Sequence, residues 1–372
     1  MTPKKHLLDL DRLPNASLNR SDYLRLDKNE NVIGFPESVL QDIRRMLSNN
    51  LISFYPDVTP LYEELAKYLS VKPNQIYLAA GSDGVIKSVF EVFVEPGDEV
   101  LTLEPTYAMY SVYAKMFQVE FRRIPYTAEL DLPISQVISR LSSKTKLVCL
   151  ANPNSPTGTA FSIEDLGKLL EVASRHSTLV LVDEAYYEYF GQTALGFLNH
   201  YDNLIMTRTF SKALGLASAR LGYAVSSKSI IHSLFKVRPM YEVNQFAVCL
   251  GIYLLRNPEL VLTHTETIKE SRKRVQNEIR AMGLASPETH TNFILIHLGD
   301  RKTALTVTTQ LQKEGILVRG GFPEPCLAPY IRVTLGSEGQ MKQFLSKFST
   351  LCASISCRGL STKNWTSSLT LA

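Results

Sequence analysis

An α/β fold with a mostly parallel central sheet, helices on both faces and a smaller α+β portion is predicted by three observations. Short, almost continuous apolar runs recur from residue 75 to residue 225, and strands apolar on both faces belong to sheets buried between helices. Segments of helical periodicity alternate with several of these runs. After about residue 260 the pattern changes to a long charged helix followed by a strand, a helix and a strand. The chain has 372 residues, enough to bury one large core and a second, smaller one.

Taken in order, Tyr23-Leu24-Arg25-Leu26 is an extended segment closed by Asn29-Glu30-Asn31. Pro36 to Met46 reads as a helix, with Val39, Leu40, Ile43 and Met46 at helical spacing, and Leu61 to Tyr68 as a second. Gln75 to Ala80 is a strand that turns at Gly81-Ser82-Asp83-Gly84 into a helix from Val85 to Val94. Glu99 to Leu103 is the next strand, followed by Pro105-Thr106-Tyr107 and a helix through Phe117. Lys146 to Ala151, Thr178 to Val182, Asn203 to Arg208 and Arg220 to Val225 are further strands. Val261 to Met282 and Thr303 to Glu314 are helices; Thr291 to His297 and Tyr330 to Leu335 are strands. The expected organisation is an N-terminal arm with part of the small domain over 1–45, a large domain over 46–255, a small domain over 256–353, and a loosely held Ser/Thr-rich extension over 354–372.

Forty basic and 36 acidic residues give a formal charge of +4, without a concentrated Lys/Arg block. Neither nucleic acid nor a polybasic membrane contact is expected. No run reaches the ~20 apolar residues that span a bilayer, and the first residues lack a secretory pattern, so a cytoplasmic enzyme is the expectation. The five cysteines form no CxxC pair, which argues against structural zinc or a disulfide scaffold.

Unusual residues gather where strands end, the places at which parallel sheets carry function. Lys212 lies in Thr209-Phe210-Ser211-Lys212, with Arg220 eight residues beyond it. An amine there can form a Schiff base with an aldehyde cofactor, while the hydroxyls and guanidinium hold a phosphate; a solvated surface lysine is the plainer alternative. The Gly81 turn offers backbone N–H groups of Ser82 and Asp83 to an anion, or is only a capped helix. Asp183 follows a buried strand directly and needs a cation, such as a protonated pyridine nitrogen, unless it caps the following turn. Tyr186 can place a phenol beside the same ring, and Tyr107 can lie flat on it. Asn152 to Gly158 is a proline-fixed turn that displays Asn154 and Ser155. Arg332, on an otherwise apolar strand, suits capture of a carboxylate, with Arg319 in the same region; a surface ion pair is the plainer alternative for either, more so for Arg319.

These strings, in this order from Leu26 to about Phe348, resemble the fold type I pyridoxal 5′-phosphate (PLP) enzymes. The chain is most similar to the class I/II aminotransferases of the histidinol-phosphate type. The resemblance rests on Asp27-Lys28-Asn29-Glu30-Asn31, Phe54-Tyr55-Pro56, Gly81-Ser82-Asp83, Pro105-Thr106-Tyr107, Asn152 to Gly158, Asp183-Glu184-Ala185-Tyr186, Ser211-Lys212 and Ile331-Arg332-Val333-Thr334. It implies that Lys212 carries the cofactor and moves the proton between Cα and C4′. It further implies that Asp183 pairs the pyridine nitrogen, Tyr186 contacts O3′, Tyr107 stacks on the ring, and Ser82, Asp83, Ser211 and Arg220 bind the phosphate. Tyr55 would reach the phosphate of the neighbouring subunit's cofactor in a homodimer. Asn29, Arg319 and Arg332 would face the substrate, and the activity implied is a ping-pong transamination of a small amino substrate.

Some positions depart from that pattern. Ser155 stands before Pro156 where the family often has asparagine, leaving Tyr186 or Asn154 to support O3′. Gly84 replaces a frequent glutamate, and Lys28 stands where small or polar residues are common. Glu242, Lys28 or Asp27 is a candidate to select the substrate side chain. An acidic substrate side would fit an alternative: elimination or cyclisation of a hydroxylated guanidino amino acid such as γ-hydroxyarginine.

Overall fold

The computed structural model describes residues 1–10, 18–131 and 134–355. Its strands are β1 (Leu24–Leu26), β2 (Ile76–Ala79), β3 (Glu99–Glu104), β4 (Glu120–Pro125), β5 (Thr145–Ala151), β6 (Leu179–Asp183), β7 (Leu204–Thr209), β8 (Gly222–Ser226), β9 (Phe293–His297), β10 (Ile316–Val318) and β11 (Tyr330–Thr334). A seven-stranded sheet has the order β2-β8-β7-β6-β5-β3-β4. Strands β7, β6, β5, β3 and β4 are mutually parallel, and β8 runs antiparallel to both β7 and β2. Two small sheets complete the fold: β1 parallel to β10, and β9 antiparallel to β11.

Both faces of the large sheet are covered, for a reason visible residue by residue. Val148, Leu150, Val180, Val182, Leu204 and Met206 enter one apolar cluster; Leu147, Cys149, Leu181 and Ile205, the alternate positions, enter another. Each such side chain stabilises the fold by about 1.5–3 kcal/mol when fully buried, and the two-residue period sends neighbours to opposite faces. This is why the strands read as unbroken apolar runs.

Helices α1 (Glu37–Met46), α2 (Asn49–Ser53), α3 (Thr59–Leu69), α4 (Ser82–Phe93), α5 (Met109–Met116), α6 (Ile134–Arg140), α7 (Ile163–Arg175), α8 (Tyr187–Phe190), α9 (Lys228–Leu234) and α10 (Gln245–Arg256) precede the long α11 (Pro258–Ala281), α12 (Arg301–Lys313) and α13 (Glu338–Ile355). The last three cover β9 and β11 through Ile268, Val275, Ile279, Val307, Leu311, Phe344 and Phe348. The N-terminal segment joins this part of the chain: the Leu24 N–H donates to Gly315 O at 2.9 Å, and the Asn29 N–H to Thr334 Oγ1 at 3.0 Å.

Strand β4 is absent from the sequence expectations because only Ile124 of its six residues is buried. It lies on the sheet edge and is charged, a common way of keeping an edge from pairing with another chain. Helix α13 extends to Ile355 and includes Ser354, the first residue of the expected C-terminal extension; the remainder from 356 lies outside the described residues.

One backbone approach controls the start of the site. A Cβ built on Gly222 lies 2.3 Å from Gly81 C and 2.3 Å from Ser82 N. Backbone cannot yield as a flexible side chain does. Gly222→Ala is therefore expected to push β8 from β2 and to lower stability by about 3 kcal/mol, measured by denaturant unfolding; an unchanged midpoint would show that the turn adapts.

Candidate active site

The carboxyl ends of β2, β5, β6 and β7 open into a cavity of about 650 Å³, bordered on the other side by the segment after β1 and by residues around β10 and β11. Its first feature is the turn from β2 into α4. Gly81 has φ +82°, and α4 begins at Ser82 with N–H groups that lack intrahelical acceptors. Arg220, itself at φ +56°, donates from Nη1 to Ser211 Oγ at 3.3 Å and from Nη2 to the Ala80 carbonyl at 3.4 Å. A Cβ on Gly81 would stand 2.5 Å from Arg220 Nη2, so glycine leaves the space that the guanidinium fills. Thr209 Oγ1 donates to Ser211 Oγ at 3.0 Å. A helix N-terminus, two hydroxyls and a guanidinium thus converge, a set of donors suited to a phosphate.

Asp183 ends β6, 4 % exposed. The Ala185 N–H donates to Oδ1 at 3.2 Å and the Tyr110 hydroxyl to Oδ2 at 3.5 Å. Burial is the largest influence and pushes the carboxyl up to about 7, against those hydrogen bonds and the more distant Lys212 charge. The site asks for a cation at Asp183.

Lys212 Nζ donates to the Lys28 carbonyl at 3.2 Å and lies 5.7 Å from the Tyr186 ring centroid. Burial favours a neutral Tyr186 phenol, yet the Lys212 and Arg332 cations, with hydrogen bonds from Asn29 and Ser155, outweigh it and hold its pKa below the ordinary value. Asn29 Nδ2 donates to the phenol oxygen at 2.8 Å. Tyr107 borders the same cavity and donates to Asp83 Oδ1 at 3.3 Å; burial first, then the Asp83 and Asp183 charges, keep its phenol protonated.

Arg332 of β11 donates from Nη1 to Ser155 Oγ at 3.1 Å and from Nη2 to the Asp27 carbonyl at 2.9 Å, while its buried Nε has no partner. Arg319 exchanges both backbone hydrogen bonds with Arg332, at 3.0 and 2.7 Å, which sets the two arginines side by side. Both line the cavity.

The aminotransferase class I and II family profile matches residues 21–348. The chain belongs to this family. Histidinol-phosphate aminotransferase 1 of Carboxydothermus hydrogenoformans is 36% identical over 329 residues, 87% of this chain and 91% of that protein. The enzyme of that name from Thermoanaerobacter sp. strain X514 is 36% identical over 84% of this chain and 88% of its own. Among solved structures, the histidinol-phosphate aminotransferase of Sinorhizobium meliloti in complex with pyridoxal 5′-phosphate has a TM-score of 0.86 at 26% identity, covering 94% of this chain and 97% of that one. The Thermus thermophilus aspartate aminotransferase double mutant 1 shares the fold at a TM-score of 0.79 and 20% identity, covering 94% and 100%. The chain is a PLP-dependent aminotransferase of fold type I.

The residues of this aminotransferase fit its cofactor: a phosphate-sized donor set, a buried carboxylate short of a cation, and an amine share one cavity. Two expected site residues, Asn154 and Glu242, stand elsewhere. Asn154 is buried beneath the turn, donating from Nδ2 to the Pro105 carbonyl (2.9 Å) and Thr157 Oγ1 (2.8 Å) and accepting from Thr106 Oγ1 (2.7 Å). Its amide is consumed in holding the loop, and Ser155 faces the cavity. Glu242 is turned toward Arg238, 3.8 Å away, and does not line the cavity. Tyr55 is 78% exposed and stacked on Tyr241 with centroids 4.2 Å apart, also outside this chain's own cavity. Sequence reasoning passed over Tyr110, one helical turn after Tyr107, whose spacing was the available signal, and Glu324, which lies between two prolines without any pattern. Among the described residues no single helix is long and apolar enough to cross a membrane.

The raised pKa of Asp183 has a consequence for the cofactor-free protein. Between about pH 4 and the folded value the native state binds more protons than the unfolded chain, so this group's contribution to stability falls as pH rises. Asp183→Asn without cofactor is expected to melt above the wild type at about pH 8, with the gap closing toward about pH 4. A pH-independent gap in calorimetric scans would contradict the raised value.

Proposed function

We propose that this aminotransferase takes its amino group from a small substrate carrying an anionic group, with histidinol phosphate the first candidate, and passes it in ping-pong fashion to a keto acid. Arg332 carries the proposal: it is a half-buried guanidinium held by a hydroxyl and a carbonyl, not by a carboxylate, with its buried Nε unpartnered and Arg319 beside it. An arriving carboxylate or phosphate supplies the missing charge. The names of the relatives suggest which amine to try first. Glu242, on which the elimination or cyclisation reading leaned, faces Arg238 instead.

In this proposal Ser211, Arg220 and the N–H groups of Ser82 and Asp83 hold the cofactor phosphate. Tyr107 lies on the ring, Asp183 answers the charge of its nitrogen, and Tyr186 with Asn29 and Ser155 supports its phenolic oxygen. Bound PLP supplies an electron-accepting ring that stabilises negative charge at the substrate Cα. Lys212 would hold the cofactor through its amine and would move the proton at the substrate Cα. Arg332 and Arg319 fix the anionic end so that the Cα–H bond meets the lysine. The division at residues 46 and 255 into a large and a small domain, and a cytoplasmic place of work, belong to the same reading.

Purified holoenzyme is expected to convert histidinol phosphate and a keto acid into a keto product and an amino acid. Water loss with retention of the amino group would overturn the reading. Lys212→Ala is expected to lower turnover by about a thousandfold and to lose the cofactor mass that borohydride fixes on residue 212 of the wild type.

A homodimer is part of the proposal. Tyr55, Ile52, Phe54 and Met240 are all more than 60% exposed, an apolar face without cover in one chain, and Tyr55 would there reach the partner's phosphate site. Sedimentation is expected to give twice 41.7 kDa, and Tyr55→Phe to weaken cofactor binding about tenfold. A fully active monomer would remove Tyr55 from the site.

A further inference from the structure

Four carboxylates border the cavity, and three already have an answer. Asp27 is ion-paired with Arg20 at 2.6 Å. Asp83 accepts from the Tyr107 hydroxyl at 3.3 Å. Asp183 accepts from the Ala185 N–H at 3.2 Å and belongs to the cofactor site proposed above. The fourth, Glu324, has a buried Oε2 that meets no hydrogen-bond donor among the described residues. A buried carboxylate oxygen without a donor is costly for the fold to keep.

The loop does not spend this side chain on itself. Glu324 occupies the N-cap position of the 3₁₀ turn Pro325–Leu327, yet its side chain makes no capping hydrogen bond. Arg319 lines the same cavity, but its guanidinium lies 5.8 Å over the Phe322 ring and forms no ion pair with Glu324. The neighbouring Glu104 is held by Arg123 at 3.1 Å. Phe322 and Leu327, 5 % and 0 % exposed, pin the loop on either side by packing with Leu295 and Tyr330, and Pro323 and Pro325 flank the glutamate. Pro323 and Glu324 also form the wall shared with a second cavity of about 360 Å³. A charged acceptor is thus held in place, unanswered, in the wall that also carries Arg319.

We infer that Glu324 reads the substrate side chain: its carboxylate accepts a hydrogen bond from a nitrogen donor, such as an imidazole ring N–H or an ammonium or guanidinium group, while Arg332 and Arg319 hold the anionic group. The inference rests on the cavity being the amino-substrate site of this aminotransferase. It extends that reading by defining the substrate as bifunctional, anionic at one end and donor-bearing at the other. Selectivity follows from the orphaned oxygen. A substrate with a donor satisfies it, whereas an apolar isostere leaves it buried and unpaired, the arrangement that separates near-identical ligands most strongly.

The test uses cofactor-loaded wild type, Glu324→Ala and Glu324→Asp, with three matched pairs of amino substrates: histidinol phosphate and its phenyl analogue, histidine and phenylalanine, lysine and norleucine. Cofactor absorbance and melting temperature show that each variant keeps the site and fold. For the pair turned over best, the wild type is expected to favour the donor-bearing member, and Glu324→Ala to lower the donor-to-apolar ratio of kcat/KM by about tenfold or more. Glu324→Asp should restore part of the ratio. An equal loss on both members, or an unchanged ratio, overturns the inference, as does a wild type that prefers the apolar member of its best pair. Turnover of lysine or histidine but not histidinol phosphate would refute the candidate substrate and still decide the role of Glu324 from the ratio.

Discussion

Burying Asp183 at the carboxyl end of β6 takes a carboxylate out of water and gives it two hydrogen bonds in return, and the layout of the site follows from where that carboxylate is held. In the sheet register Asp183 lies beside Ala151 of β5 and Thr207 of β7. The loop after β5 starts at that height and brings Ser155, while β7 runs two residues further, to Thr209, before the turn that carries Ser211 and Lys212. Backbone hydrogen bonds of 2.8 Å from the Asn152 N–H to Asp183 O, and from the Glu184 N–H to Thr207 O, continue the ladder just beyond the strand ends. A rigid sheet end places groups more closely than a free loop can.

Glu184, the next residue, shows how the fold treats a buried acid that has a structural task. Its carboxylate pairs with Arg208 at 2.9 Å and also accepts from the Ala194 N–H and from Thr193 Oγ1, and both charged side chains are almost fully buried. Removing one member of such a pair costs about 3–5 kcal/mol. Burial raises the pKa of both acids, yet Glu184 has a cation in contact and Asp183 does not. Two adjacent carboxylates, one complete and one incomplete, separate the groups that hold the protein together from those that await a ligand.

Most strands were legible because burial on both faces writes itself into sequence as an apolar run. β4 was not, since Ile124 alone of that strand is buried and nothing in a charged edge marks extended backbone. Lys212, Arg220, Asp183 and the Gly81 turn could be read as one constellation because each needs a particular chemistry at a strand end. Asn154 and Ser155 show the limit of that reading. Both sit in the same proline-fixed turn, and only the three-dimensional hydrogen bonding of Asn154 with Thr106 and Pro105 reveals which one faces inward. An acid near a loop, Glu242, looked suited to the substrate, but its arginine stands four residues earlier, at Arg238. Glu324 escaped notice because an unanswered carboxylate is a property of its surroundings, not of its residue type.

The segment after β1 explains why the departure at Lys28 from the common small or polar residue need not disturb the chemistry. Three consecutive residues each hold a different part of the site: the Asp27 carbonyl accepts from Arg332, the Lys28 carbonyl from Lys212, and the Asn29 amide donates to Tyr186. Two of these three contacts are made by backbone, so they constrain where the chain runs and leave the side chain at 28 free to differ. The path of the chain is in turn set by β1 lying parallel to β10, with Leu24 beside Ile316 and Leu26 beside Val318, directly before Arg319. Lysine, phenol and arginine, contributed by regions far apart in sequence, are therefore spaced by one short strand pair, and a change in that pairing would move all three together.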